Sequence, residues 1–129
     1  MKDGGLMMKK KIIIQTAVVT DHKLILETDE SITGLIPSEQ ILVDSDNSAF
    51  IYLLEDQEDY TYIVLAEDLW SYLKTANELK LPVLVKSNQE QIELINFHDE
   101  LEYILSNIKG NSNYGDEFVT KVEGFFLTV

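Results

Sequence analysis

The chain has 129 residues, no cysteine and a 45% apolar share, which describes one folded domain rather than a disordered chain or a disulfide scaffold. The lack of thiols also excludes a thiolate zinc site and cysteine catalysis, and it fits a reducing cytoplasm. Arginine is absent too: 10 Lys face 23 Asp and Glu, for a net charge of −13.

That charge is unevenly spread. Lys2, Lys9, Lys10 and Lys11 against Asp3 give the first eleven residues a sum of +3, and the remaining 6 Lys against 22 acids sum to −16. Sequence-independent binding of DNA or RNA needs clustered cations for counterion release, so nucleic acid is not an expected partner. Without the bidentate fork of arginine, capture of an anionic ligand would rest on Lys and backbone amides. Cations or a basic protein surface suit the chain better.

Residues 1–10 read as a flexible leader, with Met7 or Met8 as a natural start, and residues 11–129 as a single α+β domain. Lys9-Lys10-Lys11 before Ile12-Ile13-Ile14 imitates a secretory signal. Gln15 and Thr16 break the apolar run, and no small-residue cleavage site follows, so the segment reads as a first strand. No run is long enough to span a bilayer, and no membrane is expected. Residues 11–19 and 24–28 predict a hairpin about the polar turn 20–23. Residues 32–36 suggest a short extended piece before Pro37, and residues 41–44 a further strand. Residues 50–54 and 60–65 flank the acidic turn 55–59, a strong antiparallel signal. In the second of these, Tyr60, Tyr62 and Val64 share one face, and Thr61, Ile63 and Leu65 the other.

The period then changes. Leu69, Tyr72, Leu73 and Ala76 recur at helical spacing, preceded by Glu67 and Asp68 at the positive end of the helix dipole. Pro82 lies beyond that helix. Residues 83–86 and 90–94 predict a second hairpin. Asn96 is placed to cap a helix carrying Phe97, Leu101, Ile104, Leu105 and Ile108, which Gly110 stops. A last helix runs from Asp116 to about Phe125, with Phe118, Val119, Val122 and Phe126 inward. Strand–helix–strand alternation is absent, which predicts an antiparallel sheet with about three helices on one face. Phe125-Phe126-Leu127 requires burial in the fold or in a second copy, so a homodimer is an expectation.

Three stretches hold candidate chemistry. Asp44-Ser45-Asp46 after Ile41-Leu42-Val43 resembles the first motif of haloacid-dehalogenase-type phosphatases, where one Asp attacks phosphorus beside Mg²⁺. Asn47 and Ser48 depart from that motif, and a hairpin follows. Counting Asp44 as the first position of a calcium loop puts Asp46, Ser48 and Glu55 at ligand positions, but Ala49 stands where glycine is needed. An Asx-type turn between two strands is the preferred reading. Gly110-Asn111-Ser112-Asn113-Tyr114-Gly115 has the glycine spacing of a phosphate loop, yet Asp116 and Glu117 follow and would repel phosphate. A helix–helix connection fits better. His22 and His98 read as surface groups, and Tyr52, Tyr60, Tyr62, Trp70 and Tyr72 as core residues with polar edges. No cofactor pattern, catalytic residue or metal ligand is assigned. The residues open to a protein partner or a weak cation contact are Asp44, Asp46, Asn47, Asn111, Asn113 and Tyr114.

The segments Leu42-Val43-Asp44-Ser45-Asp46-Asn47 and Asn107-Ile108-Lys109-Gly110-Asn111-Ser112-Asn113-Tyr114-Gly115-Asp116-Glu117-Phe118-Val119 occur in order at a fixed separation. On them the chain resembles a family of small acidic YjbL-like proteins of low-GC Gram-positive bacteria, over about residues 11–126. That resemblance implies a cytoplasmic protein and supplies no catalytic or ligand residues. The leading expectation is an interaction or regulatory module acting through its acidic surface. The alternative is a metal-dependent hydrolase using Asp44 and Asp46.

Overall fold

The computed structural model describes residues 10–127. The leader expected over residues 1–10 therefore lies outside the described residues, apart from Lys10. The described chain forms strands β1 (Lys10–Ile13), β2 (Thr16–Val19), β3 (Leu24–Glu27), β4 (Ile36–Asp44), β5 (Ala49–Glu55) and β6 (Tyr60–Ala66). Helix α1 (Trp70–Leu79), strands β7 (Val83–Ser87) and β8 (Glu90–Glu93), and helices α2 (Phe97–Ile108) and α3 (Asp116–Phe126) follow. The α+β class expected from the sequence is what the chain adopts.

The sheets are mixed rather than purely antiparallel. One has the order β1-β6-β5-β4 and the other β2-β3-β7-β8, with parallel pairs at β1–β6 and β3–β7. Residues 11–19 had read as one strand because all are uncharged beyond Lys11 and rich in β-branched side chains. The chain instead leaves the first sheet after Ile13 and enters the second at Thr16, where β2 forms the expected hairpin with β3. Ile12 and Ile14 are both buried in the core while Ile13 is exposed, so the alternation runs unbroken through the switch of sheets. No local signal marks such a switch.

β4 is also longer than its sequence suggested. It begins at Ile36, carries Pro37 at an edge position that needs no ladder donor, and shifts register between Pro37 and Ile41. Within this bulge Glu39 has a φ of 62°, and Ser38 Oγ donates to the Leu53 carbonyl at 3.0 Å. Residues 32–35, expected to be extended, turn instead, with Leu35 N donating to Ile32 O and Gly34 at a φ of 80°.

All three helices cover the same face of β5. Phe50 lies 5.5 Å from Trp70 of α1 and 6.2 Å from Phe118 of α3, between ring centroids, and Tyr52 lies 6.2 Å from Phe97 of α2. Trp70 is fully buried and also meets Phe125 and Phe126, so the C-terminal aromatics are half-buried in the protein's own core. Tyr72, expected inward, is exposed; the buried stripe of α1 is Trp70, Leu73 and Ala76. α1 ends on Lys80 in the left-handed conformation with Leu81 N donating to Ala76 O, and Pro82 follows. Of the residues predicted inward, α2 buries Phe97, Leu101, Leu105 and Ile108 and α3 buries Phe118, Val119 and Val122, while Ile104 and Phe126 are half-buried; Gly110 takes the positive φ expected after α2.

Trp70→Ala is expected to cost about 3–5 kcal/mol, because a filled aromatic site cannot collapse. Tyr103→Ala, on the exposed side of α2, should stay within about 0.5 kcal/mol of the parent. Urea denaturation of both variants measures the difference.

Candidate functional site

The paired carboxylates sit on a short connector. β4 ends at Asp44, residues Ser45–Asn47 form a 3-10 turn, and Ser48 reverses the chain into β5 at a φ of 51°. Asn47 Nδ2 donates to Asp44 Oδ2 at 3.0 Å, so one carboxylate oxygen is already engaged inside the turn. Asp46 is exposed. Lys121 of α3 donates to Ser48 Oγ at 3.2 Å and lies 3.3 Å from Glu67 Oε1, which ties the turn to α3 and to the approach to α1.

Glu55 cannot join this turn as a calcium ligand. It ends β5, and seven extended residues separate the strand ends by about 20 Å. Among the described residues no group of three or more His, Asp or Glu side chains stands where it could hold a metal ion. Nothing in the arrangement of Asp44 and Asp46 points to a hydrolase.

The second candidate segment joins α2 to α3. Asn111 Oδ1 accepts from Asn113 N at 3.0 Å, and Asn111 Nδ2 donates to Asn107 O at 3.2 Å, folding the loop onto the end of α2. Gly110 N donates to Glu123 Oε2 at 2.7 Å. A carboxylate thus occupies an amide that a phosphate loop would offer to its ligand. Tyr114 is half-buried against the core, while Asn113 is exposed. α3 is common to both segments, touching one through Lys121 and the other through Glu123.

Two polar regions escaped the sequence reading. In the first, Asn96 does not cap α2 with its side chain. It takes a φ of 62°, and its Nδ2 donates to Glu39 Oε1 in the β4 bulge, joining two left-handed residues 57 positions apart. Tyr52, fully buried, donates its hydroxyl to Ile95 O at 2.6 Å. Burial, reinforced by the charges of Glu39, Glu100 and Glu93 and only partly opposed by a hydrogen bond to the Glu39 backbone, pushes the Tyr52 phenol well above its ordinary pKa. Beside this network a cleft of about 250 Å³ is lined by Lys80, Pro82, Glu93, Asn96, His98 and Asp99. His98 Nε2 meets the Leu81 carbonyl at 2.5 Å; a carbonyl only accepts, so this nitrogen carries the proton. Lys80 is paired with Glu102, whose carboxyl it holds below the usual range.

The second region is the β5–β6 turn. Asp56 Oδ1 accepts from Glu58 N at 2.8 Å and from Asp59 N at 2.9 Å, and those bonds hold its carboxyl below the usual carboxylate range. Beside the turn lies a cleft of about 400 Å³ lined by Gly34, Ile36, Glu55, Asp56 and Gln57. The acidic composition of the turn was legible. Its neighbour Ile36, 57% exposed, is placed there by strand pairing with Glu55.

With this geometry in hand, the relatives become informative. Residues 12–126 match the model of UPF0738, a family of unknown function. The chain belongs to this family. It is 42% identical over 122 residues to the UPF0738 protein YjbL of Bacillus subtilis (strain 168), covering 93% of this chain and all of that protein. A UPF0738 protein of Bacillus pumilus (strain SAFR-032) is 43% identical over the same shares. One from Staphylococcus aureus (strain JH9) is 41% identical over 90% of this chain and 96% of its own. The resemblance seen in the two sequence segments is therefore correct. No solved structure matches the chain. Among the described residues, no helix is long and apolar enough to cross a membrane.

Two outcomes follow from the site geometry. Millimolar Mg²⁺, Mn²⁺ or Ca²⁺ is expected to leave the melting temperature unchanged; a stabilisation abolished by Asp44→Asn would restore the metal reading. The second concerns alkali. The folded Tyr52 keeps its proton where the unfolded phenol, with a pKa of about 10, loses it, so the folded state binds more protons and stability falls as pH rises past that value. The slope is at most about 1.4 kcal/mol per pH unit, and Tyr52→Phe should remove it while losing about 1 kcal/mol at neutral pH. Urea denaturation at a series of pH values from neutral to strongly alkaline compares the two proteins.

Proposed function

We propose that this protein is a small cytoplasmic binding module that takes a basic segment of a protein partner at the outer end of the β5–β6 hairpin. The observation that carries the reading is the acidic turn, ordered by Asp56, standing beside exposed Ile36 and Tyr60. Carboxylates next to apolar surface suit a lysine or arginine, whose charged head and aliphatic stem need both. Because Asp56 Oδ1 ties down the turn backbone, Glu55, Glu58 and Asp59 are held on a preformed scaffold, and less ordering entropy opposes binding.

The net charge of −13 extends the attraction beyond the contact itself, accelerating encounter with a basic surface and disfavouring nucleic acid. Exposed Asp46 stands at the opposite end of β5, so it serves only a partner long enough to span the strand. Regulation fits this role better than turnover, since the site offers a surface rather than an activated nucleophile.

A peptide of alternating Lys and Leu tests the proposal directly. In low salt it should perturb backbone amide resonances of residues 34–36 and 55–60, and high salt should weaken the interaction severalfold. Glu55→Lys combined with Glu58→Lys should abolish it. Perturbations spread evenly over all acidic surfaces, or insensitivity to the double substitution, would overturn the assignment.

A further inference from the structure

Each sheet ends in two edge strands, and β2 differs from the others. β1 carries Lys10 and Lys11, β8 carries Glu90 and Glu93, and β4 carries Pro37 and a bulge with Glu39. Charge, proline and bulges are devices that keep a sheet edge from pairing with another chain. β2 has none of them: the chain is uncharged from Ile12 to Thr20, and β2 pairs with β3 without a register shift. Its outward side is also open. Thr20 N donates to Lys23 O at 2.8 Å, and ladder alternation then turns the amides of Thr16 and Val18 towards β3 and those of Ala17 and Val19 away from it. Among the described residues, nothing bonds those two outward amides. Val18 and Val19 lie on opposite faces of the strand and are 44% and 38% exposed, so neither face closes over the edge.

We propose that β2 pairs edge to edge with β2 of a second copy of the chain, joining two β2-β3-β7-β8 sheets into one. The choice of occupant rests on register and charge. A two-fold axis between the two Val18 residues runs the strands antiparallel and sets Ala17 of each copy opposite Val19 of the other. Both residues direct their amides and carbonyls outward, so each such pair exchanges two N–H···O bonds. Thr16 then faces Thr20, and Gln15 faces Asp21, so no like charges meet. The edge is therefore its own complement, as an isologous contact requires. The same operation about the middle of β8 would set Glu90 against Glu93.

Size and charge set the strength. A strand of four residues makes a small contact, so association is weak and reversible, with a dissociation constant on the order of 0.1 mM. The net charge of −13 on each copy opposes approach at long range, so salt that screens it strengthens the dimer. Salt acts in the opposite sense on the basic-partner contact at the β5–β6 turn, and the dimer does not rest on that reading.

Sedimentation velocity of the full chain, from low micromolar to near-millimolar concentration at low and high salt, reads the equilibrium. The parent protein should shift from monomer towards dimer, more completely in high salt. Hydrogen exchange at the Ala17 and Val19 amides should slow severalfold over the same range, which a dimer formed through any other surface would not produce. Val19→Pro removes an outward donor and leaves the bonds to β3 in place, so it should weaken association at least about tenfold. Val18→Lys sets like charges together at the axis while lowering the net charge, and it should also weaken association at least about tenfold. Both alter exposed side chains and should melt near the parent's temperature. A parent that stays monomeric at every concentration in high salt would overturn the proposal. Association that leaves exchange at Ala17 and Val19 unchanged, or that survives Val18→Lys undiminished, would overturn it equally.

Discussion

The contact between Phe50 and Trp70 is the joint on which the rest of the molecule is assembled. Their centroids lie 5.5 Å apart, and Phe126 meets both rings while Phe118 meets them edge-on. β5 is the strand that supplies Phe50, and two residues on it supplies Tyr52, which meets α2 through Phe97. One strand thus sets the position of three helices. Aromatic side chains suit this task because each buries a large area and prefers tilted or edge-to-face neighbours, which fixes direction as well as proximity.

Polar side chains secure what this core leaves loose. Where the β4 bulge breaks the ladder, Ser38 bonds Leu53 and Glu39 receives Asn96, so the irregular edge is held from the segment leading into α2. Tyr52 fastens the same segment from beneath through Ile95. Lys121 and Glu123 do likewise for the two connectors on which candidate chemistry had been placed. Groups that resemble catalytic or phosphate-binding elements in the sequence are used here to satisfy turns and helix ends. An unpaired polar group near a core costs about 1–3 kcal/mol, which favours such pairing over reactivity.

What remains for function is the acidic end of the β5–β6 hairpin, which offers ordered carboxylates beside a cleft that exposes Ile36. It arises from β5, whose alternate side chains serve the core cluster on one face and stand apart from it on the other. Burial along the whole strand conceals that division, since Ile51 and Leu53 are nearly as inaccessible as Phe50 and Tyr52.

Period and punctuation determined much of this protein by themselves. Helical spacing located α1, α2 and α3, the acidic turn located the β5–β6 hairpin, and Gly110 marked the end of α2, because each depends on neighbours within a few residues. The candidate turn at Asp44 was equally legible as a connector. Tertiary structure alone decided that residues 11–19 divide between two sheets, that β1 and β3 pair in parallel with strands far along the chain, and that Asn96 reaches Glu39 instead of capping its own helix. It also decided which of two apolar faces of β5 became core. Such choices rest on contacts between residues distant in sequence, where local preference is nearly balanced and packing supplies the difference.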